Sequence, residues 1–266
     1  MGYDIIVIAG QSNAEGFGYG EVECSFSENE KIMQLYDRQA VAVVSKDGKA
    51  FLDISEPFNL TFAPERERVV RKRTFGCLAD SFAEEYIKAG YLFDERKVLI
   101  IKAAVGGTGF ARHEWGIDSI LHKRLLEMLD LALSESGSRI CAFLWHQGEH
   151  DAVELPELNA EQRYKKHRSD LGLMLKDLRF RYGEEFPFIA GGFCDEWYFE
   201  NRSICDPVIS AIKAALSEFN NTAFVESDGL VSNNFEHSDG DGIHFSRSSL
   251  YKLGVRYFEK YRELIK

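Results

Sequence analysis

The sequence predicts an α/β protein: a parallel sheet with helices on both faces, formed as a single domain over residues 1–266. Three observations predict it. Five apolar runs are continuous rather than alternating, as strands covered on both faces are. Segments of helical period stand between those runs. The chain has 266 residues, 45% of them hydrophobic, enough to bury a core without disulfide or metal staples.

The first strand is YDIIVIAG (3–10), which stops abruptly at the polar run Gln11-Ser12-Asn13. Residues 38–75 are the least regular part and leave room for one more strand and a long surface excursion. The first helix is CLADSFAEEYIKAG (77–90), with Gly90 as its C-terminal stop. The strand KVLIIKAAV (97–105) precedes a helix over 118–137, with Asp118 as cap and Gly137 as stop. Ile120, Leu121, Leu125, Met128, Leu129 and Ala132 form the apolar stripe of that helix. Then follow the strand RICAFLWH (139–146), a helix over 157–183, the strand PFIAGGF (187–193) and a helix over about 206–219. The strand TAFVES (222–227) and a helix over 246–266 close the chain. No repeat, low-complexity stretch or linker interrupts the order.

Composition excludes some function classes. The formal net charge of −11 and pI of about 5.2 repel phosphates, so no nucleic-acid partner is expected. Five cysteines, an odd number without a CxxC, point to buried thiols and a reducing compartment, hence a cytoplasmic location. The first strand begins at Tyr3 with no basic segment and long apolar core before it, so no secretion signal is expected. No apolar run approaches the roughly 20 residues of a membrane helix, and no membrane partner is expected.

In an open parallel sheet, ligands bind beyond the carboxyl ends of the strands. Ser12, Gly106-Gly107 and Gln147-Gly148-Glu149 all lie just past such ends. A serine becomes a nucleophile only when a base takes its proton, and the base needs a carboxylate to hold its tautomer. His244 in DGDGIHFS (239–246) has Asp241 three residues before it, with Gly240 and Gly242 to allow a tight turn. The plainer reading of that stretch is a turn followed by a Ser246 helix cap.

The blocks GQSNAEG (10–16), AAVGGTGF (103–110), WHQGEHDA (145–152) and DGIHFS (241–246) together resemble the ordered blocks of the SGNH hydrolases. More narrowly they resemble the sialate O-acetylesterase and acetylxylan esterase branch of the carbohydrate esterases. The resemblance implies a flavodoxin-like three-layer α/β/α sandwich with a mostly parallel sheet of about five strands. It also implies a serine esterase, free of cofactor and metal, that removes acetyl groups from a carbohydrate through an acetyl-serine. Ser12 corresponds to the nucleophile, His244 to the base and Asp241 to its orienting acid. The N–H groups of Ser12 and of Gly106 or Gly107 correspond to the oxyanion hole. Gln147 stands where the wider superfamily has an asparagine that completes the hole. Glu149 adds a second carboxylate, and the acid role is open between it and Asp241. Gln11 and Asn13, flanking Ser12, are candidate substrate contacts. A general short-chain esterase and a carbohydrate-binding protein without turnover are the alternatives.

Other features have their own readings. HQGEH (146–150) also fits a zinc motif, which would need both histidines on one helix; the strand-like CAFLW before it and Gly148 within it argue against that. Neither the glycines at 16, 18 and 20 nor GGTGF has phosphate-loop spacing, and SDGDG (238–242) lacks the further oxygen ligands of a calcium loop. His146 and His150 are read as strand-end or pocket-wall residues, and His113, His122, His167 and His237 as surface residues. The basic run PERERVVRKRTFG (64–76) is a solvated face or supplies Arg66, Arg68, Arg71 or Arg73 to hold a substrate carboxylate. Of these Arg73 is taken as the candidate contact. Trp115, Trp145 and Trp197 suit either a sugar face or the core.

Overall fold

The computed structural model describes residues 2–20, 29–37, 41–44, 50–53, 60–64, 68–70, 73–93, 95–154 and 157–266. In chain order the first elements are β1 (Tyr3–Gly10), α1 (Ser12–Glu15), β2 (Gly18–Tyr19), β3 (Ile32–Asp37), β4 (Val41–Val44), β5 (Ala50–Asp53), β6 (Leu60–Pro64), β7 (Arg68–Val70) and β8 (Arg73–Gly76). They are followed by α2 (Leu78–Lys88), β9 (Lys97–Ala104), α3 (Ile120–Ser134), β10 (Arg139–His146), α4 (Glu149–Val153) and α5 (Ala160–Tyr182). The last are β11 (Phe188–Gly191), α6 (Asp195–Glu200), α7 (Arg202–Leu216), β12 (Thr222–Val225), α8 (Asn233–His237) and α9 (Arg247–Leu264).

The main sheet has seven strands in the order β12-β11-β10-β1-β9-β3-β6. Six run parallel, and β6 pairs antiparallel with β3 at one edge. The five strands expected from sequence form the contiguous block β12-β11-β10-β1-β9. Numbered by their own order along the chain they run 2-1-3-4-5, the flavodoxin-like arrangement. The sixth parallel strand, β3, lies outside both the five apolar runs and the 38–75 excursion. Its sequence IMQLYD carries polar residues that hide it from a search for apolar runs.

Alternation along β1 builds the three layers. Ile5, Val7 and Ala9 face α3, α5 and α7 in one core. Ile6 and Ile8 face α2 and α9 in the other. The lower end of the sheet is tied at Asp4, which is fully buried and accepts from Tyr86 Oη, Arg96 Nε and Arg139 Nε at 2.8, 2.8 and 2.9 Å. Burial raises that carboxyl, but the two guanidinium groups and the Tyr86 hydroxyl outweigh it and hold it below its ordinary value.

Several local expectations are corrected. The cap of α3 is Ser119, whose Oγ accepts from His122 N, while Asp118 adopts a left-handed turn (φ 61°) one residue too early. Helix α7 starts at Arg202, so Pro207 sits inside it. A short helix, α4, begins at Glu149, and His146 stays on β10; the two histidines of HQGEH therefore stand on different elements. His122 and His167 are buried, at 1 and 2% exposure, each with one ring nitrogen close to a carboxylate on a neighbouring helix.

Two glycines give opposite stability expectations. Gly254 lies where α9 crosses α2, and a Cβ there would sit 2.0 Å from Leu78 O and 2.1 Å from Ser81 Oγ. Gly254→Ala should therefore destabilise by about 1–3 kcal/mol. A Cβ on Gly172, inside α5, would meet nothing within 4 Å. Gly172→Ala should stabilise by about 0.5–1 kcal/mol through helix propensity. Urea unfolding of both variants checks the pair, and opposite signs are expected.

Candidate active site

The site is assembled at the point where the connections from β1 leave for opposite sides of the sheet. β1 ends at Gly10 (φ 135°), where a Cβ would lie 2.1 Å from His146 O of β10. Only glycine fits there, and Gln11 N then donates to His146 O at 3.0 Å. The chain turns directly into α1, leaving Ser12 at its first position and 5% exposed.

His244 approaches from the segment before α9. Its Nε2 lies 2.8 Å from Ser12 Oγ, and its Nδ1 lies 2.8 and 2.9 Å from the two Asp241 oxygens. A carboxylate only accepts, so Nδ1 carries the ring proton and the Ser12 hydroxyl donates to Nε2. Burial raises the Asp241 carboxyl, but the bonds from His244 and Asn233 outweigh it and hold it below the usual carboxylate range. The Phe17 ring stacks on His244, with centroids 5.2 Å apart. Ser246 also caps α9, its Oγ accepting from Ser249 N at 3.3 Å. The helix cap and the Ser12–His244–Asp241 contacts therefore coexist in one stretch, the cap two residues beyond the histidine.

Two asparagines brace the constellation. Asn13 is fully buried; its Nδ2 donates to Glu149 Oε1 (2.8 Å) and Ile243 O (3.2 Å), and its Oδ1 accepts from Phe245 N (3.1 Å). It thus grips the peptides on both sides of His244. Asn233 Nδ2 donates to Asp241 Oδ2 (2.9 Å) and Phe17 O (3.2 Å), and its Oδ1 accepts from Tyr19 N (3.2 Å). Sequence reasoning missed Asn233, since an asparagine before a turn is common and its partners are set only by the fold.

Glu149 does not touch His244. It is fully buried at the start of α4, bonded to Asn13, with His146 Nε2 3.6 Å away. The Tyr257 hydroxyl donates to Trp145 O (2.9 Å) and lies 3.1 Å from His146 Nδ1, while His146 Nε2 faces the carboxylate. Burial raises the Glu149 carboxyl, and the His146 and Asn13 contacts bring it below its ordinary value.

Other candidates are placed differently from expectation. Gly106 N donates to Glu15 Oε2 at 2.8 Å, so it is already committed. Gly107 is exposed at φ 71°, and among the described residues its N–H and that of Ser12 have no protein acceptor. Gln147 is fully buried, its Nε2 3.4 Å from Gln11 Oε1 and from Thr108 O, so it ties loops together instead of presenting a donor. Gln11 Oε1 accepts from His150 N (3.0 Å) and Gly148 N (3.4 Å) at the start of α4. The amide of Asn13 and the Oε1 of Gln11 are thus engaged within the chain. Arg66 and Arg71, the side chains of Arg68 and Arg73, and Cys24 lie outside the described residues. Trp115 and Trp145 are fully buried and pack edge to face at 5.2 Å in the core, while Trp197 is half-buried against Phe193. His237 is exposed and stacks on Tyr19.

The two carboxylates should separate in stability. Glu149→Gln removes one partner from a fully buried pair and should cost about 3–5 kcal/mol. Asp241→Asn, with a quarter of its side chain exposed, should cost under about 1.5 kcal/mol. Urea unfolding measures both, and equal losses would contradict the arrangement.

Known proteins resemble the chain throughout. The family model for "Carbohydrate esterase, sialic acid-specific acetylesterase" matches residues 2–263. Among solved structures, that of NanS superposes with a TM-score of 0.72 at 17% identity, covering 98% of this chain and 97% of the other. A protein from Arabidopsis thaliana superposes at 0.69 and 18% identity, covering 99% of both chains. A carbohydrate acetylesterase from Xanthomonas citri gives 0.62 at 13% identity over 98% of this chain, which spans 56% of that longer protein. At these identities the structures establish the shared fold. No curated protein sequence matches the chain.

Proposed function

We propose that Ser12 is the nucleophile of this chain, which belongs to the carbohydrate esterase family of sialic acid-specific acetylesterases and is a carboxylic ester hydrolase. The observation that carries the proposal is the continuous chain Ser12 Oγ–His244 Nε2 and His244 Nδ1–Asp241, with each bond at 2.8–2.9 Å.

In this reading His244 takes the Ser12 proton as Oγ attacks the acetyl carbonyl carbon. The negative charge on the carbonyl oxygen meets the N–H groups of Ser12 and Gly107. Donors of this kind are typically worth about 3–4 kcal/mol each. The tetrahedral species collapses by breaking the bond to the sugar oxygen, and His244 returns the proton to that oxygen. The sugar alcohol leaves and an acetyl-Ser12 remains. Water then attacks the acetyl carbon as His244 accepts its proton, and acetate departs as the proton passes back to Ser12. Asp241 stabilises the imidazolium in both halves. Glu149 acts at one remove, through Asn13, by holding the backbone that carries His244.

The substrate is an acetylated carbohydrate, with an O-acetylated sialic acid favoured by the family match. A small acyl group suits the surroundings. A Cβ on Gly106 would already meet Glu15 Oε2 at 3.3 Å and the Phe17 ring at 3.4 Å. Acetyl esters should therefore be preferred over butyryl esters, and comparable rates on both would favour a general short-chain esterase.

Ser12→Ala should lower kcat by up to about a millionfold, and a fluorophosphonate should label Ser12 alone. Labelling elsewhere, or retained turnover, overturns the assignment. Asp241→Asn should cost on the order of ten-thousandfold in kcat. Glu149→Gln should cost less in kcat on protein shown to be folded. The reverse order would make Glu149 the acid.

A further inference from the structure

Two sets of contacts hold the turn that carries Asp241 and His244. The first set is backbone and comes from the start of α8. Asn233 N donates to His244 O and Asn234 N to Asp241 O, each at 2.9 Å. Helix α8 is itself anchored on α6, where Glu196 accepts from Ser232 Oγ and, at 2.5 Å, from Asn234 Nδ2. These bonds fix where the two residues stand. They do not fix which way the Asp241 carboxylate points.

The second set reaches the carboxylate itself. Oδ1 accepts from His244 N at 3.2 Å, and both oxygens lie within 2.9 Å of His244 Nδ1. Among the described residues the one further side-chain donor to Asp241 is Asn233 Nδ2, 2.9 Å from Oδ2. The Asp241 side chain is 27% exposed, so without that donor water competes for Oδ2 and the carboxylate is free to rotate off the ring. Asn233 is fully buried and held from behind. Its Nδ2 also donates to Phe17 O, and its Oδ1 accepts from Tyr19 N, both at 3.2 Å. The Phe17 ring stacks on His244. The acid and the imidazole are thus both referred to one short piece of backbone, residues 17–19.

We infer that Asn233 is a positioning residue of the reaction: it keeps the Asp241 carboxylate turned toward His244 Nδ1. The imidazole then stays in the tautomer whose Nε2 can take the Ser12 proton. Asn233 touches neither substrate nor reacting atoms and acts through Asp241. An amide suits the position because it donates to a carboxylate without adding charge. An aspartate there would set two carboxylates against each other. The inference rests on the roles proposed above for Ser12, His244 and Asp241.

The test places Asn233→Ala and Asn233→Asp in the full chain, each alone and on the Asp241→Asn background. kcat and KM are measured with an acetyl ester, and NMR reads the His244 ring nitrogens at a pH where the imidazole is neutral. Asn233→Ala removes a hydrogen bond to a charged group and should lower kcat about ten- to a hundredfold, with KM changed less than about twofold. In the unmodified chain His244 should show the Nδ1–H tautomer alone; in Asn233→Ala the Nε2–H tautomer should appear beside it. Asn233→Asp keeps the shape and the bond from Tyr19 N, so it serves if the alanine variant fails to fold, and it should lower kcat at least as far. On the Asp241→Asn background neither substitution should lower kcat by more than about threefold further. Unchanged kcat in the single variants, an undisturbed tautomer in Asn233→Ala, or the same fold loss on both backgrounds overturns the inference; the last is what a purely structural tie would give. Retained turnover in Ser12→Ala would instead overturn the nucleophile, and the tautomer measurement, which needs no turnover, still decides Asn233.

Discussion

The site depends on one side chain that does no chemistry in the proposed mechanism. Asn13 joins the turn after β1 to the peptides on both sides of His244, across more than 200 residues of sequence. Without it the peptides flanking His244 would lose their tie to the turn after β1. An amide is suited to this position because it offers a donor and an acceptor on one planar group. The remaining donor capacity goes to Glu149, whose burial is tolerable because Asn13 and His146 both face it. Ser12, His244 and the buried pair are thus tied together by the residue next to Ser12.

The sheet explains why the segments meet there. β1 lies between β9 and β10, so the loops after these three strands converge on the same edge. The close approach at Gly10 lets the chain turn into α1 immediately and leaves the Ser12 N–H without an acceptor among the described residues. The loop after β9 brings Gly107 to the same place, fixed by Glu15 through the neighbouring Gly106 N–H. A carboxylate close to a developing negative charge would oppose it, but this one is engaged by an amide and serves to shape the loop.

Much of this was legible in the sequence. Continuous apolar runs gave the five central strands, and the polar residues just past their ends marked the edge where the site lies. The spacing of Asp241 and His244 placed an acid beside a base, and the four ordered blocks carried the family. What was not legible depends on partners distant in sequence. Gln11 and Asn13 read as substrate contacts because they flank Ser12, and Gln147 as a donor of the oxyanion hole, yet in the fold their amides meet other parts of the chain. Asn233 gave no local signal at all. His122 and His167 look like surface histidines on polar helices, and only the tertiary packing supplies the carboxylates that permit their burial. Asp118 and Ser119 are both good caps, and the left-handed turn at Asp118 decides between them.

The tight crossing of α2 and α9 reaches further than packing. Gly254 sits about two turns from the start of α9, and Ser81 of α2 bonds to Tyr251 O on the same stretch of helix at 2.8 Å. The first turn of α9 is capped by Ser246, two residues beyond His244. A shift of α9 along its axis would therefore carry His244 away from Ser12. No partly opened form that frees α9 can keep the proton path intact. Release of α9 alone is thus enough to silence the site, so on heating the Ser12–His244 contact is lost no later than the sheet.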